Sequence, residues 1–249
     1  MDLKYLKFEK KDGIATITIA RPDKRNALSP GVFKELSVCL DVADEDREIA
    51  ALIITGGEKV FCAGMDIAEM MQFKPEDTFG FWNFGYNVTF EKIYNFRVPT
   101  IAAVSGFALA GGFDLAVSCD FRIASETVRM GQVEINVHLV PGISRVRHLV
   151  GLSQAKYLGM TGDIIDAQES YRIGLVDKVV KTEEMLGEAQ ALAKKFVSKP
   201  REALEKAKQS YLNVVDMNHK TAISYETLLL CRLFDSDERK RIMTEFLRR

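Results

Sequence analysis

Apolar and polar residues alternate at the start of the chain. Leu3 to Glu9 and Gly13 to Ala20 follow the two-residue period of half-buried strands, and Lys10, Lys11, Asp12 and Gly13 supply a turn, so an opening hairpin is expected. Ser29 and Pro30 read as a helix N-cap and first-turn proline, with Val32, Phe33, Leu36 and Leu40 following at helical spacing. Ala50 to Thr55 and Thr100 to Ser105 are short unbroken apolar runs, the pattern of strands covered on both faces. Each leads through glycine into helical sequence, which predicts right-handed crossover units with mostly parallel strands. Asp120 to Ala124 and Leu175 to Val180 are further strand candidates. From Thr182 the pattern is almost all helical, over Met185 to Val197, Arg201 to Val215, Lys220 to Phe234 and Asp235 to Arg249.

That tail carries Leu228, Leu229, Leu230, Leu233, Phe234, Met243, Phe246 and Leu247. So dense an apolar supply either folds back on the chain's own core or buries itself between subunits. With 249 residues, 47% of them hydrophobic, the chain can bury a sizeable core as one large domain or two small ones. Its 34 basic and 35 acidic residues leave a formal charge of -1, so no global basic field draws nucleic acid or an anionic membrane, and any anionic ligand must be held locally. The four cysteines, at 39, 62, 119 and 231, lack a C-x-x-C spacing, which argues against a zinc knuckle and fits a reducing compartment. Met1 to Lys11 does not read as a signal peptide, and no run approaches the ~20 apolar residues of a membrane span; a soluble cytoplasmic protein is expected.

Two glycine turns stand out, Phe61-Cys62-Ala63-Gly64-Met65-Asp66-Ile67 and Gly106 to Leu115. Each follows a buried-strand candidate and opens a helix. Free N–H groups at such turns, helped by the helix dipole, can stabilise an oxygen that becomes negative; glycines there also simply allow close packing. Asp114 falls in the first turn of the second helix, where it either complements the dipole or does chemistry. Glu134 sits among apolar and glycine residues with no basic neighbour closer than Arg129. Brought together, the two acids would raise at least one pKa into the range useful at neutral pH. His138, His148 and His219 are scattered without metal-site spacing, so no metal is expected. Cys62 has no histidine near it in sequence and reads as a small buried thiol, and Ser105, Ser118 and Ser144 lack a nucleophile-elbow context. Arg21, Lys24 and Arg25 form either a solvated surface or a phosphate site.

Together, Phe61 to Ile67, Ile101 to Leu115, Cys119-Asp120 with Arg122 to Ser125, Gly131 to Ile135 and Pro141-Gly142 resemble the enoyl-CoA hydratase/isomerase, or crotonase, superfamily. The resemblance extends over nearly the whole chain. It implies an α/β crotonase-like spiral of ββα units over 1–195 with the acyl-CoA site, and a helical C-terminal region over 196–249 that packs a homotrimer or a dimer of trimers. It implies an oxyanion hole from the backbone N–H groups of Met65 and Gly111, and Asp114 and Glu134 as the catalytic acids. Coenzyme A, part of the substrate rather than a cofactor, would be held by Lys24, Arg25, Ala27, Ala63, Asp66 and Ile67, with Phe246 and Arg249 closing the site of a neighbouring subunit. The chain departs from the typical hydratase in carrying Asp114 where a glutamate is usual, which withdraws the carboxylate by about 1.5 Å. Asn136-Val137 and Ile143 to His148 also differ from the usual pattern.

The expected activity is reversible hydration of a 2-enoyl-CoA thioester, with double-bond migration in a 3-enoyl-CoA, driven by Glu134 alone, as the alternative. A noncatalytic or RNA-binding member of the fold is disfavoured, because the helix from Pro30 to Asp44 has Lys34 as its only lysine. The aromatic segment Lys74 to Phe96 either lines the acyl pocket or packs as core.

Overall fold

The computed structural model describes residues 1–248. Strands β1 (Leu6–Lys11) and β2 (Ile14–Ile19) form the opening hairpin, with Leu6 opposite Ile19 and Lys11 opposite Ile14. The first strand begins later than the alternation predicts. The N–H groups of Lys4, Tyr5 and Leu6 donate to the Glu35 carboxylate at 2.8 to 3.0 Å, which draws the chain before β1 onto helix α1 (Pro30–Glu45). Ser29 caps that helix by accepting from Val32 N–H at 3.3 Å, and Val32, Phe33, Leu36 and Leu40 are buried along its inner face.

The chain continues through β3 (Ala51–Thr55), short α2 (Ile67–Met70), α3 (Pro75–Trp82), a π-helical segment (Asn83–Phe90) and α4 (Glu91–Tyr94). It then enters β4 (Thr100–Val104), β5 (Phe107–Leu109), α5 (Gly111–Val117), β6 (Phe121–Ser125), β7 (Arg129–Gly131) and a 3-10 turn at Glu134–Val137. Helix α6 (Val146–Thr161), β8 (Ile165–Asp166), α7 (Ala167–Arg172), β9 (Lys178–Val180) and α8 (Met185–Val197) follow.

A six-stranded sheet in the order β1-β2-β3-β4-β6-β9 is parallel from β2 onward. A smaller sheet has the order β5-β7-β8, and Cys62 forms a parallel bridge with Ala108 in the middle of β5. Successive turns of the chain therefore place one strand in the large sheet and a short extended piece in the small one, β3 then Cys62, β4 then β5, β6 then β7. This is a spiral of the kind that the resemblance implies. The unbroken apolar runs are explained by burial on both faces: Leu52, Ile54, Ala102 and Val104 join one core with α1, while Ala51, Ile53, Ile101 and Ala103 join a second with Met185, Ala189 and Ala193 of α8. β9 is shorter than expected because the Leu175 and Val176 N–H groups turn to Ser170 O.

The chain divides into two compact units, Met1–Val197 and Ser198–Arg249. The division falls at the end of α8 rather than at 195, since Phe196 still stacks on Phe121 with ring centroids 5.4 Å apart. The second unit contains α9 (Arg201–Val214), α10 (His219–Phe234) and α11 (Asp237–Leu247). Asn218 and Ser236 cap the last two, accepting from Thr221 and Arg239 N–H, and so set starts that apolar spacing alone misplaces. Leu228, Leu230, Phe246 and Leu247 are exposed in this unit.

A close approach within the first unit lies at Gly112, where any Cβ would collide with the backbone carbonyl of Cys62. Gly112→Ala is expected to cost about 1–3 kcal/mol of stability, read as a lowered urea midpoint.

Candidate active site

The two glycine turns meet. Cys62 N–H donates to Phe107 O at 2.9 Å and Leu109 N–H to Cys62 O at 3.1 Å, so the turn after Cys62 is laid along β5 and reaches the start of α5. A Cβ on Gly64, which has φ +109°, would lie 3.8 Å from Gly111 N. Leu28 donates to Gly64 O and accepts from Asp66 N–H, which turns the intervening Met65 N–H to the opposite side. Gly111 N–H lies in the first turn of α5 and has no intrahelical acceptor. It is presented by Ala110, whose φ of 49° and ψ of -122° form a strained conformation for a residue with a side chain, held by Ala110 N–H donating to Gly131 O at 2.9 Å. Met65 and Gly111 both line one cleft.

That cleft has a volume of about 310 Å³ and is walled by Met65, Met70, Met71, Trp82, Val133, Val137 and Leu139, with Ala63, Ile67, Tyr86, Ala110, Gly111 and Glu134 completing it. The segment Lys74 to Phe96 divides between the cleft and the core. Trp82 and Tyr86 line the cleft, while Phe81 and Phe90 pack edge-on against the buried Phe33 at 5.7 and 5.5 Å.

Asp114 is buried on α5 and Glu134 is buried at the start of the 3-10 turn. The Tyr86 hydroxyl donates to Asp114 Oδ2 at 2.6 Å. Both Glu134 carboxylate oxygens are buried without a hydrogen-bond partner. Burial, and then the charge of Glu134, pushes the Asp114 carboxyl up to about 7 against the opposing effects of Tyr86 and Arg145. Burial raises Glu134 as well. Burial and the neighbouring Asp114 raise Tyr86 far above the usual phenol range, so it remains a neutral donor. Burial likewise pushes the Cys62 thiol up to about 12, as suits an inert core residue.

The basic cluster separates into two parts. Arg21 lies over the Tyr5 ring and donates to Ala27 O at 2.7 Å and to Asp66 Oδ2 and Glu69 Oε1 at 3.2 Å each. Asp66 also caps α2 by accepting from Glu69 N–H; burial opposes its ionisation, but that bond and Arg21 together hold it below the usual carboxylate range. Lys24 and Arg25 are exposed, on a loop whose Arg25 and Asn26 take left-handed φ values of 50° and 56°. Buried Asn26 secures that loop through Gly56 O and Val60 O at 3.0 and 2.7 Å. Ala27 is buried, and Ala63 N–H is engaged with Arg25 O at 3.0 Å, whereas Ile67 is exposed at the cleft. Phe246 is exposed on α11 of the second unit, and Arg249 lies outside the described residues.

Sequence spacing does not reveal Tyr86 as a partner of Asp114, nor Arg145 as a nearby positive charge. The one signal for Tyr86 is its polar tip within a run of phenylalanines, since a buried tyrosine hydroxyl needs a partner. Among the described residues no cluster of His, Cys, Asp and Glu could hold a metal, and no helix is long and apolar enough to cross a membrane.

A spiral core with an apolar cleft lined by Met65, Gly111 and the buried Glu134 is that of a crotonase-type enzyme. The enoyl-CoA hydratase/isomerase family model matches residues 9–249, and the chain belongs to that family. It is 38% identical to a short-chain-enoyl-CoA hydratase of Clostridium acetobutylicum over 99% of this chain and 96% of the relative. It is 39% identical to a crotonyl-CoA hydratase of Syntrophomonas wolfei over 96% and 93%. A crystal structure of enoyl-CoA hydratase from Bacillus anthracis superposes with a TM-score of 0.95 at 30% identity, covering 98% of this chain and 96% of that one.

The native state holds a proton on Asp114 that the unfolded chain releases near the ordinary value of 3.8. Ionising this group in the fold therefore costs stability as pH rises from about 4 to about 7. Asp114→Asn should accordingly raise the unfolding temperature by a margin that grows between about pH 4 and pH 8, as read by calorimetry.

Proposed function

We propose that the enzyme reversibly adds water to a 2-enoyl-CoA thioester. The observation that carries this reading is that Met65, Gly111 and the buried Glu134 line one apolar cleft, with the buried Asp114 hydrogen-bonded to Tyr86 of its wall. Met65 and Gly111 N–H groups receive the thioester oxygen, and their pull grows as that oxygen becomes an enolate. Water oxygen bonds to Cβ while the double-bond pair moves toward the thioester. Glu134 takes one proton from that water and passes it to Cα as the enolate electrons return. Asp114 Oδ1 accepts the other water O–H and orients the nucleophile. Both acids finish as they began, and one water has been split across the double bond. The unpartnered Glu134 oxygens suit the proton shuttle, because no competing donor must first be displaced.

Exposed Lys24 and Arg25 suit the phosphates of coenzyme A. Main-chain carbonyl groups of Ala63 and Ile67, with Ala27 and Asp66 shaping the loop, suit its adenine and pantetheine arm. Phe246 and Arg249 are assigned, by family resemblance, to the site of a neighbouring subunit in a homotrimer or dimer of trimers; the exposed leucines of the C-terminal unit favour such an assembly. The relatives named for short-chain and crotonyl substrates make short 2-enoyl esters the first to test.

Double-bond migration in a 3-enoyl-CoA is the second reading, favoured by one observation: Glu134 has both oxygens free, whereas Asp114 is engaged by Tyr86. Purified enzyme given short and medium 2-enoyl-CoA esters should remove the conjugated-thioester absorbance and form a product one water heavier. Glu134→Gln should reduce the rate roughly 10²–10⁴-fold. A product of unchanged mass from 3-enoyl-CoA, with no hydration across the series and full activity in Asp114→Asn, would replace hydration by isomerisation. Hydration should also rise with pH through about 7 as Asp114 ionises and becomes a better acceptor.

A further inference from the structure

The shorter acid at 114 raises a physical problem that the surrounding residues address. An aspartate buried on α5 has little freedom to reach a water, and a carboxylate with two equivalent free oxygens can hold that water in more than one way. Only one of its oxygens is engaged: Oδ2 accepts from Tyr86 at 2.6 Å, while Oδ1 accepts no hydrogen bond from the described residues. We propose that Tyr86 is the positioning residue for Asp114, its hydroxyl fixing Oδ2 so that Oδ1 alone orients the reacting water. This rests on the hydration reading above.

The placement of Tyr86 is built into the fold. It lies on the π-helical segment, whose wider turn changes the direction of side chains relative to the flanking α3 and α4. Gly85, just before it, lets the segment press onto Phe33, because a Cβ there would come within 2.9 Å of the ring. Thr89 Oγ1 donates to Phe84 O at 3.0 Å, closing the same turn from the other side. The Tyr86 ring is held between Trp82 and Phe90 at centroid distances of 5.6 and 5.2 Å. The hydroxyl is thus carried by a packed ring on a packed turn, which is what positioning another group requires.

The charged and titratable groups acting on Asp114 come from three elements: Tyr86 from the π segment, Glu134 from the 3-10 turn, and Arg145 immediately before α6. Burial and Glu134 favour the protonated acid, while Tyr86 and Arg145 favour the carboxylate. Arg145 is itself tied to Glu91, so Tyr86 is the one group of the two in direct contact with Asp114. Without its hydroxyl, Asp114 would hold its proton to higher pH and would accept poorly from water in the neutral range.

The test is Tyr86→Phe, which keeps the packed ring, assayed as full-length enzyme on a short 2-enoyl-CoA. The expected result is a kcat lower by roughly tenfold to a hundredfold with KM little changed, and an acid limb of the pH profile moved upward by roughly one unit. In an Asp114→Asn background the same substitution should cost little, because Tyr86 acts through Asp114. Infrared titration of the protonated Asp114 carboxyl, identified by its loss in Asp114→Asn, should show the same upward shift without reliance on turnover. A pH profile and carboxyl titration matching wild type, or an equal loss of rate in both backgrounds, would overturn the assignment. Failure of the hydration reading has a different signature: the wild-type protein leaves 2-enoyl-CoA unhydrated while the carboxyl titration still responds to Tyr86→Phe.

Discussion

Everything at the cleft depends on the seating of the Cys62 turn against β5 and α5. Two backbone bonds, Cys62 N–H to Phe107 O and Leu109 N–H to Cys62 O, fix the turn along the strand, and Gly112 has no Cβ because the Cys62 carbonyl occupies that space. Met65 and Gly111 lie close to this contact on their respective segments. Both can line the one cleft only if the contact is close, so the small sheet does more than extend the core. The strain in Ala110 is a consequence of the same constraint: the chain must turn sharply from β5 into α5, and the bond to Gly131 O holds it in a conformation it would otherwise leave.

The acids illustrate how burial is spent on chemistry rather than stability. Arg122 shows the alternative treatment of a buried charge. It is fully enclosed, but its guanidinium donates to Leu175 O, Cys119 O and Asp120 O and pairs with the Asp177 carboxylate at 3.5 Å. Glu134 has comparable enclosure and no such partners, and Asp114 has one. The difference between a charge whose donors are satisfied and carboxyls left with free oxygens separates a structural ion from the pair proposed to be reactive.

Much of this was legible in the chain itself, and the reasons differ by element. β3 and β4 could be read because strands covered on both faces must be apolar throughout, as Ala51 to Thr55 and Thr100 to Val104 are. The glycine turns could be read because close approach and positive φ restrict residue choice at Gly64 and Gly112. The start of β1 could not, since it is set by the Glu35 carboxylate about 30 positions away in sequence. The Tyr86 hydroxyl bond was hidden for a similar reason. The π-helical turn shifts side-chain direction away from the 3.6-residue period, so a helical wheel does not indicate which aromatic of the segment faces Asp114.

The basic cluster shows the same limit in electrostatic form. In sequence, Arg21, Lys24 and Arg25 are three equivalent charges in a nearly neutral protein. In the fold, Arg21 is turned inward, its guanidinium shared between Asp66, Glu69 and Ala27 O, and it stabilises the start of α2. The left-handed turn at Arg25 and Asn26 reverses the chain immediately afterwards and leaves Lys24 and Arg25 in solvent. Charges in water attract an anion over roughly a Debye length of ~8–10 Å and can be rearranged around it, whereas an enclosed pair such as Arg21 and Asp66 is already neutralised. The positive charge available to a phosphate is therefore carried by two of the three residues, and the third pays for the geometry that displays them.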